Sequence, residues 1–202
     1  MSSIFQSPSI AYKAMKTPSA LAPSHHVWSV ESYHQMADAG LLSEMDRVEL
    51  IEGELLDKAL IGSKHSNWVN PLNKRFVLQA QDLYFVSIQN PVVLRDRNEP
   101  QPDLMLLKPG SYMNALPTAT DVLLIVEVSD TTLDYDRDVK LNLYARHNIP
   151  EVWLLDVGRN ELLVHSEPVD GLYRLMRRLS AHDVACPAAA PEISVRLSDL
   201  AD

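Results

Sequence analysis

The chain has one cysteine, Cys186, in 202 residues. No intramolecular disulfide can form, and no cysteine-based zinc cluster can be assembled within one chain. Long apolar runs are missing: no stretch approaches the ~20 consecutive apolar residues of a membrane-spanning helix. The first residues also lack the basic region and apolar run of a secretory signal. The expectation is a soluble, cytoplasmic protein with no membrane partner. Positive charge is scarce, with 18 Lys and Arg against 27 Asp and Glu and a formal net charge of −9. That balance argues against sequence-indifferent coating of nucleic acid, which relies on Lys and Arg to displace phosphate counterions. It leaves open a local site where a cation offsets its own acidic ligands. No internal repeat is found.

What is present is a 46% hydrophobic chain, long enough for one domain with a substantial core. Residues 1–24, rich in Ser, Pro and Ala, read as a flexible N-terminal tail, and residues 25–202 as a single domain. Ser29 is an N-cap for a helix of about ten residues, with Trp28 and Tyr33 at the positions of a hydrophobic staple. The alternating stretch from Val48 to Leu56 predicts a hairpin around a Gly53 turn, with Glu49 on the face away from Val48 and Leu50. Trp68, Leu72, Phe76 and Ala80 repeat at helical spacing, and Pro71 leaves two starts open, Pro71 itself or the neighbourhood of His65. Strands are expected at 84–88, 92–95, 103–107, 122–128, 152–157, 161–165 and 172–179, and a helix at 138–147. A turn at Pro168 and Gly171 would separate the last two strands. The pattern is mixed α/β.

Chemistry is suggested by a polar interruption in an apolar strand. Glu127 lies between Val126 and Val128, so its carboxylate points opposite to theirs and needs a partner or a cation. Asp103 opens the apolar run Leu104-Met105-Leu106-Leu107, and two strands each ending in an acid can bring both to one hard cation such as Mg²⁺. Each acid alone reads sooner as a solvated, idle strand end, and only the combination with the next element favours chemistry. Asp136, Lys140 and Tyr144 fall on one helix face, so Lys140 can reach back over the carboxylates or pair with Asp136 on a solvated face.

Pro102-Asp103, the strand end Glu127-Val128-Ser129-Asp130, Lys140 with Tyr144-Ala145, and Ile149-Pro150-Glu151-Val152-Trp153 together resemble the Uma2 family, formerly DUF820, of the PD-(D/E)XK nuclease superfamily. Glu49 through Glu54 match its Glu-Leu-Ile-(Asp/Glu)-Gly-Glu segment, and Gln89 to Val92 its Gln-x-Pro-Val segment. The resemblance implies a restriction-endonuclease-like core, a mixed central β-sheet flanked by helices. It implies a Mg²⁺-dependent DNA endonuclease, with Mn²⁺ as a substitute, in which Asp103 and Glu127 ligate the metal and Glu49 joins or adjoins them. Lys140 would act as catalytic lysine, orienting the attacking water. The superfamily's usual Lys, two residues after the second acid, is Ser129 here, so the ammonium must come from the following helix. A homodimer follows by analogy with two-strand cutting. The alternatives are a weakly active relative that binds nucleic acid or a protein partner, and a hydrolase of small phosphorylated substrates.

Several other residues carry less. His65 reads as a cap or surface residue in preference to a phosphate contact, and Gln89 as a partner for a metal-bound water. Arg174, Arg177 and Arg178 form a basic stretch that touches nucleic-acid backbone or is merely solvated. Asp130, Asp134, Asp136 and Asp138 lack the Gly and Glu positions of an EF-hand.

Overall fold

The computed structural model describes residues 25–43, 45–130 and 136–200, with the backbone alone of 136 and 137. The expected tail at 1–24 and the acid Asp134 lie outside the described residues. Ser29 caps α1 (Val30–Asp38) as expected, its hydroxyl accepting the Ser32 N–H at 3.0 Å. The helix buries none of its side chains and is tethered through Tyr33, whose hydroxyl donates to the Val48 carbonyl.

β1 (Val48–Ile51) and β2 (Glu54–Asp57) form the hairpin. Its two-residue turn takes φ of 53° at Glu52 and 83° at Gly53, the double left-handed conformation that matches strand twist. A Cβ on Gly53 would sit 2.7 Å from that of Val27. Gly53→Ala is therefore expected to lower stability by more than about 1 kcal/mol, through both the clash and the left-handed backbone. A urea midpoint no lower than that of the unsubstituted chain would refute this.

α2 (Ser63–Ala80) settles the Pro71 question in favour of the earlier start, since the helix runs through the proline. Pro71 cannot donate to the Asn67 carbonyl. Tertiary burial of Val69, Leu72, Phe76 and Ala80 against the sheet offsets that loss.

The main sheet has the order β3-β4-β5-β6-β7-β8, formed by Phe85–Ile88, Leu104–Leu107, Val122–Ser129, Glu151–Asp156, Glu161–Val169 and Leu172–Ser180. Every pairing is antiparallel except β5 with β6. That parallel pair needs a crossover, and α3 (Leu141–Arg146) lies in it, preceded by one π-helical stretch at Asp136–Lys140. The helix expected at 138–147 is thus two pieces. α2 and the C-terminal segment with Ile193, Val195 and Leu197 cover one face, against Leu124, Val126 and Trp153. Leu141, Leu143 and Tyr144 cover the other with Ile51, against Ile125, Val152 and Leu154.

The strand expected at 92–95 is a loop. Val92 and Leu94 are buried in strand-like alternation, but their N–H groups donate to the Pro100 and Asn98 carbonyls rather than to a ladder. The last turn also moves: β7 continues through Pro168, and Asp170-Gly171 makes the reversal. β6 reaches only as far as Ser166, so Pro168 faces β8 alone and its missing N–H costs no ladder bond to β6.

Candidate active site

The pairing of β4 with β5 sets Leu104 against Val126. Continued one residue, that antiparallel register brings Asp103 opposite Glu127. Asp103 Oδ2 accepts the Val128 N–H at 2.9 Å and His65 Nε2 at 3.0 Å, and Gln89 Nε2 lies 3.5 Å from Oδ1. Burial pushes the Asp103 carboxyl up, but the His65 hydrogen bond and charge, the Val128 N–H and Lys140 together hold it below its usual value. Gln89 also takes a left-handed φ of 51°, while its N–H donates to the Asp103 carbonyl. Backbone strain of this kind collects where a side chain must be held in one place.

Lys140 is 5% exposed, so its ammonium does not lie on a solvated face; the side chain of Asp136 lies outside the described residues. Its Nζ lies 3.2 Å from Glu127 Oε1 and 3.5 Å from Glu49 Oε2. Glu127 and Glu49 are each 4% exposed, so the ammonium sits between two buried carboxylates. Tyr144, one turn further on, donates its hydroxyl to the same Glu127 Oε1 at 2.6 Å. The π-helical stretch ends at Lys140, so the two donors reach one oxygen across a change of helical pitch. Tyr144→Phe should slow turnover about tenfold without changing substrate affinity, and lower stability by roughly 1.5–3 kcal/mol through loss of a hydrogen bond to a charged group. Unchanged turnover in a folded variant would show that the hydroxyl positions nothing.

Asp103, Glu127, Glu49 and Lys140 all line one cavity of about 520 Å³. His65 and Gln89 line it too. His65 is therefore not the surface residue its place at a helix start suggested. The basic stretch Arg174, Arg177 and Arg178 is absent from the lining. Lys58 and Arg47 belong to the cavity and were missed by the sequence reading. The available signal was the hairpin register: Val48 pairs with Asp57, so Arg47 and Lys58 flank the open end together. Burial and the neighbouring Lys140 pull the Lys58 ammonium below its usual pKa, against the opposing pull of Glu49, Glu127 and Asp103.

Other buried acids are satisfied structurally. Glu151 accepts from the Trp153 indole at 2.5 Å and from the Ala188 N–H at 2.8 Å. Asp156 accepts the Arg159 N–H.

Among the described residues no three His, Cys, Asp or Glu side chains form a group that could hold a metal ion. Mg²⁺, however, is usually bound by one or two carboxylates with water and substrate phosphate completing the shell. The oxygen donors of Asp103 and Glu127 suit that arrangement. Glu49 is turned to Lys140 and to the Gln101 N–H, at 3.3 Å.

A mixed sheet flanked by helices, with acids from adjacent strands and a buried lysine at one end, places the protein among restriction-endonuclease-like folds. The chain belongs to the Uma2 family, described as "Putative restriction endonuclease", whose pattern matches residues 30–198. The crystal structure of a "putative nuclease belonging to DUF820" from Anabaena variabilis is similar in fold, with a TM-score of 0.68 at 16% identity. The match covers 82% of this chain and 96% of that one. No curated protein matches the chain. Among the described residues no helix is long and apolar enough to cross a membrane.

Proposed function

We propose that the cavity is the active site of a Mg²⁺-dependent DNA endonuclease, with Mn²⁺ able to substitute. The observation that carries this reading is the buried Lys140 ammonium between Glu127 and Glu49, in the same cavity as Asp103. Asp103 and Glu127 would hold the cation, with Glu49 beside them as the second counter-ion of Lys140. When bound, the cation would polarise a phosphoryl oxygen and favour ionisation of water.

The chain's own residues supply the remainder. Lys140 presents a fixed positive charge where negative charge grows on the phosphoryl group, and it orients water for attack. Glu127 and Glu49 hold that lysine in place, and Tyr144 holds Glu127. His65 and the Val128 N–H keep Asp103 ionised and aimed. The family description supports a nucleic-acid substrate. Two-strand cutting would further call for two copies of the chain.

The test is nicking of supercoiled plasmid in Mg²⁺ or Mn²⁺. Cleavage should appear with metal, stop with chelator, and be absent on phosphate monoesters. Plasmid binding without any nicking would instead support a binding protein built on a nuclease fold. Monoester hydrolysis without nicking would support a small-molecule phosphatase.

A further inference from the structure

We propose that Lys58, backed by the N-terminus of α2, forms a second phosphate subsite, gripping a backbone phosphate of the bound strand other than the one attacked. This rests on the nuclease reading above and adds a residue for which that reading gives no role.

Lys58 Nζ donates to the Gln101 carbonyl at 2.7 Å and lies 3.4 Å from Gln101 Oε1. Both partners are neutral. Glu49, Glu127 and Asp103 are near enough to act on its charge through space, yet among the described residues none stands in an ion pair with it. An ammonium has three donors, and a part-buried one answered only by carbonyls is under-compensated. Lys140 differs in this respect, because two carboxylates hold it.

Two neighbours of Lys58 attract an anion, against the repulsion of Asp57 and Asp130, which also line the cavity. α2 is 18 residues long and begins at the cavity, where Gly62 and His65 are lining residues. Its N-cap makes no side-chain hydrogen bond, and its first turn carries no acid. The positive dipole end of such a terminus suits phosphate. Arg47 stands beside Lys58 at the rim, the Lys58 N–H donating to its carbonyl at 2.7 Å. The acids of the reacting centre repel a polyanion, so a protein of net charge −9 needs a cation that is not already neutralised.

The test is the salt dependence of binding of a fluorescently labelled DNA duplex to the full chain. A fixed concentration of Ca²⁺ replaces Mg²⁺ so that binding is read without cleavage. Lys58→Gln should reduce the slope of log affinity against log salt by about 0.9, which is about an eightfold loss of affinity near 0.1 M salt. Lys58→Arg should keep the original slope, and Lys74→Gln, which removes the same charge outside the cavity, should leave it unchanged. An unaltered slope in Lys58→Gln overturns the subsite, as does a lost slope in Lys58→Arg. Failure of the unsubstituted chain to bind the duplex at all overturns the nuclease reading itself, and the subsite with it.

Discussion

Lys140→Ala is expected to cut the rate of plasmid nicking by about 10²–10³-fold, the usual effect of deleting one preorganised donor to a developing negative charge. The side chain is buried, has a fixed position between Glu127 and Glu49, and reorganises little when charge appears beside it. The same geometry makes the substitution costly to folding. It leaves two buried carboxylates without their shared cation, and breaking a buried pair from one side typically costs about 3–5 kcal/mol. Nicking must therefore be read per folded molecule, checked by circular dichroism below the variant's unfolding transition. A folded Lys140→Ala protein that nicks at the unsubstituted rate would remove the lysine from the mechanism.

Asp103→Asn is expected to abolish metal-dependent nicking with little change of shape. The amide keeps the size of the carboxylate, but it loses the charge that would attract a cation and that His65 and the Val128 N–H now support. A pH signature accompanies it. The Asp103 carboxyl is held below its usual value in the fold, so above its unfolded pKa of about 3.9 its ionisation contributes stability. That contribution is lost as pH falls through the lower folded value, where the folded protein too takes up the proton. The unsubstituted chain should accordingly exceed Asp103→Asn in stability at neutral pH, and the gap should close in strong acid. A gap that does not vary with pH would mean that the charge of Asp103 is not supported in the fold.

The two acids of the proposed site were legible because each breaks a local pattern. Glu127 interrupts an apolar strand, and Asp103 opens one. Their meeting depends on the β4–β5 register, which neither segment specifies alone. Lys140 and Tyr144 were read onto one helix face and both meet Glu127, but only the fold shows that they are buried and that a π-helical stretch precedes α3. Lys58 and His65 have no such local mark. Their importance comes from the hairpin and from α2 converging on one cavity, a long-range property.

Elements followed the same division. The Ser29 cap and the Gly53 turn are set by a few neighbouring residues, and both stood where expected. Val92–Leu94 has the alternation of a strand, yet its hydrogen-bonding partners are loop carbonyls that sequence pattern does not reveal. Pro71 left the helix start open between two positions, and packing of Val69, Leu72 and Phe76 supports the earlier one.

The most direct test of the proposed function is single-turnover nicking of supercoiled plasmid by the unsubstituted chain, Asp103→Asn and Lys140→Ala, purified identically and assayed with Mg²⁺ and with chelator. Nicking is expected from the unsubstituted chain with metal alone and is lost in both variants. Equal nicking by all three proteins would contradict the proposed function, as would plasmid bound by the unsubstituted chain but never cut.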